Sequence, residues 1–496
     1  MRQARSRQAL GVGFALAGMF VTQTAHAGGF ELPGLGAEAM GRGGAFTAKA
    51  DDGTALEYNV AGFARQRGTR LHIDGKLMIN STGFGRAGTY PDTAGSTAWA
   101  GQAYPSVSNS KGISGAPLIA ISSDFNYFER WTFFLGLNTP SAAGTNRTYP
   151  DTVNGTWPAP QRYDNTQINL LVVYPMLGAS LRVTKWFDLG LALQMVYGNF
   201  DLHAVAYADL GSGCPNAESS KCDSALQIKT SGFTATAVLG LMFHPVKGLH
   251  IGAQVRGPIY LNTSGNVTAS QPPVLAIPLD PGNPSNPAPA KLGFRLPWVV
   301  RLGIRYAFMK DAKREKGDIE LDATYEAWKE AQGDGDVLNV PQLGPFSDIK
   351  STLTHHYKDT GSIRLGGAYN IWFKNDTVLA LRAGVFYDST STDSAWTRLD
   401  FDTLDKIGYS LGLGYRFRGI GINAAYSYIW SPDRTVTDGQ QRVINGTNGS
   451  TTATSGGAQL PVYNNGHYTA SNQAILISLN LAFDEILKKK RVLKYD

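Results

Sequence analysis

Charged residues and cysteines are scarce in this sequence, and long hydrophobic runs are absent after its first residues. Only 17% of the 496 residues are charged, and only two are cysteines. No stretch of roughly 18 uncharged apolar residues follows the N-terminal region, which argues against a protein that crosses a membrane with helices. A chain of this length would ordinarily divide into soluble domains, yet no linker separates such domains.

The sequence also lacks the short motifs of common enzyme classes. It contains no His-Glu-x-x-His, no Gly-x-Ser-x-Gly and no phosphate-binding loop. His355 and His356 stand in a long loop without other metal-ligating residues beside them, so we expect a solvated pair. We therefore predict no catalytic residue, no metal site and no cofactor. The alternative is a membrane lipase with a β-barrel fold, whose Ser and His would be dispersed in the sequence.

Excess positive charge is small. The formal net charge is +6, and three of the positive charges lie within the first 27 residues. The remaining basic residues are dispersed, apart from a run at residues 488–491. This distribution predicts no nucleic-acid binding.

The first 27 residues have the order of a secretory signal peptide. Three arginines between residues 2 and 7 precede an apolar run at residues 9–21 and an Ala-x-Ala sequence at residues 25–27. The apolar run is too short to cross a bilayer as a helix. We predict cleavage after Ala27, with a short buried N-terminal helix as the alternative.

The most informative pattern is the alternation of the final strand, at residues 473–483. Ile475, Ile477, Leu479, Leu481 and Phe483 share one face, whereas the other face is small or polar except for one leucine at position 476. A strand that is apolar on one side, polar on the other and ends on an aromatic residue is typical of a barrel with lipid outside and water inside.

Similar alternation recurs along the chain and predicts the number of strands. The predicted strands are 69–80, 115–126, 130–139, 164–182, 187–204, 228–244, 248–268, 292–308, 317–328, 361–373, 377–388, 404–417, 419–430 and 472–483. Short turns alternate with long loops between them, as in outer-membrane barrels, where the short turns face the periplasm.

These patterns predict an all-β fold, a fourteen-stranded antiparallel transmembrane β-barrel. The barrel is predicted at residues 67–483. Residues 28–66 are rich in Gly and Ala and are predicted to form a small N-terminal hatch inside the lumen. Residues 484–496 form a charged tail, which we expect to be a periplasmic appendage or a contact for a periplasmic partner.

Several segments carry a family resemblance. Residues 28–32 read Gly-Gly-Phe-Glu-Leu, residues 41–45 read Gly-Arg-Gly-Gly-Ala, and residues 50–56 read Ala-Asp-Asp-Gly-Thr-Ala-Leu. Residues 296–298, 325–328, 358–359, 363–366 and 382–388 contribute further short matches. Together they resemble the FadL family of outer-membrane transporters for long-chain fatty acids and other hydrophobic compounds, although Val60 stands where that family usually has proline.

The resemblance implies passive transport of a hydrophobic molecule. Ligand would enter by an apolar groove among the outer loops, pass to an interior pocket and leave when the hatch moves, sideways through a kinked strand. Phe30 and Leu32 are then the expected hatch contacts of the substrate, unless they only pack the hatch against the wall. Asn138 and Pro140 are the expected gate, unless Pro140 merely ends a strand.

Five arginines at predicted inward positions are candidates for a substrate carboxylate, because a guanidinium can bind a carboxylate through two parallel hydrogen bonds. They are Arg301, Arg305, Arg364, Arg382 and Arg416. Arg364 and Arg382 are the preferred candidates, because they lie in the segments that resemble the FadL family. The alternative is that these arginines pair with interior acids and hold the hatch.

The functional prediction is uptake of long-chain fatty acids or similar hydrophobic compounds by a non-enzymatic protein. The alternatives are an aromatic hydrocarbon or alkane channel of the same fold, and a structural or adhesive barrel with surface-binding loops. The expected partners are the hydrophobic ligand, outer-membrane lipid and the barrel-assembly machinery. The resemblance implies a monomer.

The two cysteines give the first testable prediction. Cys214 and Cys222 lie close together in a polar loop of an exported chain, so we expect a disulfide; no histidine is near enough to complete a metal site. Mass spectrometry of an unreduced digest should recover the two peptides as one linked species. Two free thiols in exported protein would refute the prediction.

Overall fold

A computed structural model describes the chain at residues 34–91, 97–110, 112–139, 145–209, 214, 217–270, 272–273, 287–311, 314–332, 336–343, 346–400, 404–448, 450 and 459–487. These residues form a closed antiparallel barrel of fourteen wall strands, as predicted. None of the helices in these ranges is both long and apolar enough to span a membrane.

The structure contains 22 strand segments in the described residues, and several of them combine into one longer strand of the barrel wall. The segments have the following bounds. They are β1 (Arg70–Arg86), β2 (Val107–Ser108), β3 (Ile113–Ser123), β4 (Trp131–Asn138), β5 (Thr145–Thr148), β6 (Thr152–Val153), β7 (Trp157–Pro158), β8 (Gln167–Arg182), β9 (Phe187–Tyr207), β10 (Asp223–Val246), β11 (Leu249–Arg256), β12 (Ile259–Ala269), β13 (Ala288–Leu296), β14 (Val299–Met309), β15 (Glu315–Glu326), β16 (Asp336–Leu343), β17 (Phe346–Leu353), β18 (Thr360–Trp372), β19 (Val378–Asp388), β20 (Lys406–Phe417), β21 (Ile420–Val436) and β22 (Gly466–Ala482).

Six wall strands are composite among the described residues. They are β2 with β3, β4 with β5, β11 with β12, β13 with β14, β15 with β16, and β17 with β18. The single strands predicted at 248–268 and 292–308 are therefore each interrupted, at Gly257–Pro258 and at Pro297–Trp298. Proline has no N–H for the ladder, which explains why both runs break at that residue.

The first and last strands close the barrel. β1 and β22 pair from Arg70 opposite Ala482 to Arg86 opposite Gly466. The predicted alternation is confirmed, because Ile475 and Ile477 are exposed on the outer face while Ala474 and Ser478 are buried inside. Leu476, which departs from the polar inner face, is fully buried against an interior helix. β22 ends at Ala482, one residue before the predicted terminal Phe483.

The two ends of the barrel differ in their connections. Six short turns join strands at one end, called the short-turn end, and two of them, at 247–248 and at Arg418–Gly419, have only two residues. In the second of these turns, Arg418 and Gly419 both have positive φ, 47° and 80°, which is the geometry of a type I′ hairpin turn. Glycine adopts this conformation without strain. The long connections gather at the opposite, long-loop end.

The chain before β1 lies inside the barrel. This luminal segment, residues 34–66, contains α1 (Ala37–Met40), α2 (Ala55–Tyr58) and a 3₁₀ helix at Val60–Arg65. Two further short helices are α3 (Trp328–Gln332) and α4 (Phe483–Ile486), the second directly after β22. The luminal segment packs on strands around the whole barrel, from β4 to β22 and β1, which places it in the lumen.

Inward-facing glycines on the wall make room for the luminal segment. At each of them, an added Cβ would come within 3.0 Å of an atom of the luminal segment. They are Gly136 (β4), Gly190 (β9), Gly240 (β10), Gly252 (β11), Gly303 (β14), Gly366 (β18), Gly384 (β19) and Gly412 (β20). The barrel is therefore filled at this level by direct contact between wall and segment.

Replacing one of these glycines should loosen the luminal segment. A Cβ at Gly366 would overlap the Arg42 carbonyl oxygen, so Gly366→Ala should lower the free energy of unfolding by about 1–3 kcal/mol. The matched control is Gly75→Ala, because a Cβ there meets nothing within 4 Å on the outer face. Urea unfolding of the folded barrel measures both variants. Equal stability of the two would contradict the close-contact account.

Candidate functional site

Three acids on β15 hold the luminal segment. The Arg42 guanidinium pairs with Asp318 at 2.6 Å and with Glu320 at 3.0 Å, and all three side chains are fully buried. The backbone N–H groups of residues 46 and 47 donate to Asp322 Oδ2, and those of residues 48 and 49 donate to Glu320 Oε1. The carboxylates thus satisfy backbone donors that have no sheet partner.

Most interior arginines are occupied by acids. Arg301 binds Glu57 of α2 at 2.5 Å, and Arg305 pairs with Asp318 and Glu315. Arg416 differs, since it is exposed in the lumen and lies 5.7 Å from the Trp372 ring. The acids therefore use guanidinium groups to connect the luminal segment to the wall.

The two leading candidates for a substrate carboxylate are also engaged. Arg364 pairs with Asp388 at 2.7 Å and reaches the Gly43 carbonyl, and Arg382 pairs with Glu38 of α1 at 3.0 Å. Arg382 donates a further hydrogen bond to the Asn423 side chain. Both guanidiniums thus contact the luminal segment, and a bound carboxylate would have to displace an acid.

Asn138 of the predicted gate is the last residue of β4. The wall strand resumes at β5, opposite Leu170 of β8. Among the described residues, the ladder between β3 and β4 runs from Ile119 to Ser123. Asn138 donates a 2.8 Å hydrogen bond to Glu57. Glu57 thus connects the end of β4 to Arg301 on the far wall.

A large apolar cluster lies inside the barrel, on the long-loop side of the luminal segment. It comprises Ile168, Leu170, Val172, Tyr174, Val196, Phe200, Ile228, Ile259, Leu261, Val267, Ala269, Ala288, Ala290, Leu292, Phe294, Leu296, Trp328, Leu338, Val340, Leu343, Ile349 and Tyr357. Its rings pack together, with Phe200 and Phe294 5.7 Å apart and Trp328 and Tyr357 4.9 Å apart. These inward positions are apolar where the lumen elsewhere carries charged side chains.

Buried ion pairs connect the long loops above this cluster. Glu218 pairs with Arg86 at 2.6 Å, and Asp223 pairs with Arg162 at 2.8 Å. The Cys214–Cys222 disulfide, with an S–S distance of 2.09 Å, lies beside Glu218 in the connection between β9 and β10. The disulfide and the ion pairs together brace this end of the barrel.

A second network joins further loops. Arg398 pairs with Asp164 at 3.1 Å and with Asp400 at 2.9 Å, and His355 lies 2.6 Å from Asp400. Burial raises the pKa of Asp164 to about 6, although the Arg398 guanidinium opposes that rise. Asp164 therefore titrates at mildly acidic pH. His355, predicted to be solvated, is instead buried in this network.

The short-turn end opens into a cavity of about 760 Å³ between the luminal segment and the turns. Its wall carries both signs of charge, with Lys49, Arg314 and Arg416 among the bases and Asp51 and Glu315 among the acids. The part of the chain that the structure describes contains no group of three or more His, Cys, Asp and Glu residues arranged to hold a metal ion. This end is therefore polar, in contrast to the long-loop end.

Sequence reasoning did not find the main contacts of the luminal segment. Arg42 lay inside a recognised motif but was given no role, and Glu57 was not singled out. Two features of the sequence could have indicated this role. Arg42 lies between two glycines, and the strand at residues 317–328 carries acids at the alternate positions 318, 320 and 322. Phe30, Leu32 and Pro140 lie outside the described residues, so their predicted roles stay predictions.

A closed barrel with a luminal chain segment and an apolar interior cluster defines a transport protein of the outer membrane. The chain belongs to the family described as outer membrane protein transport protein (OMPP1/FadL/TodX), whose model matches residues 18–482. That family consists of transporters and channels rather than enzymes. The predicted resemblance is confirmed.

Solved structures share the fold. A Pseudomonas aeruginosa FadL homologue is 19% identical, with a TM-score of 0.70, over 92% of this chain and 100% of the homologue. The Ralstonia pickettii toluene transporter TbuX is 15% identical, with a TM-score of 0.61, over 91% and 99% of the two chains. The P. putida toluene transporter TodX is 16% identical, with a TM-score of 0.60 and the same coverage. No curated protein matches the chain.

The Arg42 ion pairs yield a stability prediction. Arg42→Met should lower the free energy of unfolding by about 3–5 kcal/mol, because it leaves buried acids without their cation. Hydrogen exchange should show faster exchange at the backbone amides of residues 46–49. Arg314→Met is the control, since Arg314 pairs with the exposed Asp376 at the short-turn end. Unchanged exchange in Arg42→Met would show that the segment is held by other contacts.

Proposed function

We propose that this chain mediates energy-independent uptake of long-chain fatty acids or similarly hydrophobic molecules across the outer membrane. The carrying observation is the large apolar cluster inside the lumen, on the long-loop side of the luminal segment. A hydrophobic solute gains roughly 25 cal/mol for each Å² of apolar surface removed from water. A water-filled pore offers no such gain, so an apolar interior favours a greasy cargo.

In this proposal residues 28–66 act as the hatch, with Phe30 and Leu32 in contact with the substrate. The position of residues 34–66 supports the hatch, because they fill the barrel between the apolar cluster and the polar cavity. Passage straight through the lumen would require breaking the Arg42 ion pairs and the close contacts with the wall glycines. Lateral release avoids that cost.

The exit that we propose lies in the wall beside Asn138 and Pro140. Its support is that the described ladder between β3 and β4 ends at Ile119, opposite Leu137. The hydrogen bond from Asn138 to Glu57 provides a link between the exit and the luminal segment. Movement of the segment and opening of the wall are coupled in this mechanism.

An aromatic hydrocarbon is the second candidate cargo. Phe200, Phe294, Trp328 and two tyrosines make the cluster rich in rings, which favour stacked or edge-on contact with another ring. The toluene transporters TbuX and TodX share the fold. A monomer surrounded by outer-membrane lipid and inserted by the barrel-assembly machinery suits either cargo.

Asn138 tests the proposed exit. Asn138→Ala removes the link to Glu57, so uptake of a labelled long-chain fatty acid by cells should change several-fold in rate. Affinity of the purified protein for the same acid should stay within twofold, because Asn138 is not in the apolar cluster. Stopped-flow uptake and equilibrium binding measure the two quantities. Asn199→Ala, on an exposed position of β9, is the control.

The outcomes separate the candidates. Uptake and binding of the fatty acid by wild-type protein support the main proposal, and preference for toluene supports the second cargo. Binding of neither ligand would contradict the transport proposal and favour a structural or adhesive barrel. An Asn138→Ala variant that takes up acid at the wild-type rate would remove Asn138 from the exit.

A further inference from the structure

Arg147 differs from the other buried cations of the described chain. Six buried arginines pair with a carboxylate, namely Arg42, Arg86, Arg162, Arg305, Arg382 and Arg398. Four other buried cations, Arg67, Lys76, Arg256 and Lys406, have further interactions. Arg147 is 3% exposed and has no carboxylate partner among the described residues.

The contacts of the Arg147 guanidinium are few. Nη1 donates one hydrogen bond, 3.4 Å long, to the backbone carbonyl of Leu399. Nε is buried and has no hydrogen-bond partner among the described residues. Asp164, which accepts from the Leu399 N–H, is already paired with Arg398. A buried cation without an anion is costly, so this site is suited to an anion from outside the chain.

Apolar residues surround this cation on two sides. Arg147 lies opposite Ile168 of β8, which belongs to the large apolar cluster. On the other side is a small apolar cluster formed by Phe84, Val107, Tyr149, Leu399, Leu404, Val436, Tyr468 and Ala470. Leu399, whose carbonyl accepts from Arg147, belongs to this second cluster. A positive group between two apolar clusters matches a ligand with one anionic head and a long apolar body.

We propose that Arg147 binds the carboxylate of the substrate and makes the protein selective for hydrophobic acids over uncharged hydrocarbons. The proposal rests on the transport function proposed above and specifies its substrate class. Arg364 and Arg382, the candidates from sequence, are already paired with Asp388 and Glu38. Arg147 can bind a carboxylate without displacing an acid of the protein.

The test compares a long-chain fatty acid with its methyl ester, which has the same body and no charge. Binding is measured at pH 8 with full-length protein folded in detergent. Wild type should bind the acid more tightly than the ester. Arg147→Gln should weaken acid binding roughly 10- to 100-fold, the range of a charge-assisted hydrogen bond, and leave ester binding unchanged. Arg147→Lys should retain part of the preference because it keeps the charge.

A stability readout separates ligand binding from a structural role. Arg147→Met removes a buried charge that has no acid partner, so its thermal midpoint without ligand should equal or exceed that of wild type. Arg295→Gln, on an exposed position of β13, is the matched control for loss of an arginine. A clear fall in the midpoint of Arg147→Met, with an unchanged ratio of acid to ester affinity, would overturn the proposal.

The remaining outcomes are also decisive. Equal binding of acid and ester by wild type and all variants would leave transport of hydrophobic molecules standing and refute the role of Arg147. Binding of neither ligand by wild type would refute the proposed function itself. Loss of both ligands in Arg147→Gln, with the barrel still folded by its heat-dependent gel migration, would show that Arg147 shapes the pocket without reading the carboxylate.

Discussion

The carboxylates of β15 are the constraint on which the interior depends. A chain segment inside a barrel has no neighbouring strand to accept its N–H groups, and the surrounding lipid supplies no water. Asp318, Glu320 and Asp322 accept those groups and the Arg42 guanidinium. They hold residues 42–49 in a single position, and α1, α2 and the 3₁₀ helix are positioned from there.

The luminal segment divides the barrel into two chemically different spaces. Toward the short turns the wall is charged and encloses a polar cavity. Toward the long loops it is lined by aliphatic and aromatic side chains. In the proposed mechanism, a hydrophobic molecule that enters from the loops is stabilised as far as the segment. The proposed sideways exit beside Asn138 would let it leave before it meets the polar cavity.

Alternation in the sequence was sufficient to predict the barrel, its strand number and the facing of its residues. It predicted an apolar outer face for the last strand, and the exposed Ile475 and buried Ser478 agree with it. Leu476 and the two proline breaks show its limits. Leu476 packs against the luminal segment, which explains an apolar residue on the inner face. Such a contact joins residues that are distant in the chain, so it leaves no periodic pattern in the local sequence. For the same reason Arg364 and Arg382 could be placed inward but not matched with their partners, and the isolation of Arg147 could not be foreseen.

The separation in sequence between Arg42 and its acids has a consequence for assembly. Asp318 follows Arg42 by 276 residues, so the segment that leaves the export channel first must wait for one of the later strands. Contacts of this span form slowly, because much chain must be ordered before they form. Until β15 is in place, Arg42 lacks the acids with which it pairs, and once β22 joins β1 the luminal segment is enclosed. The luminal segment must therefore be inside the barrel before β1 pairs with β22.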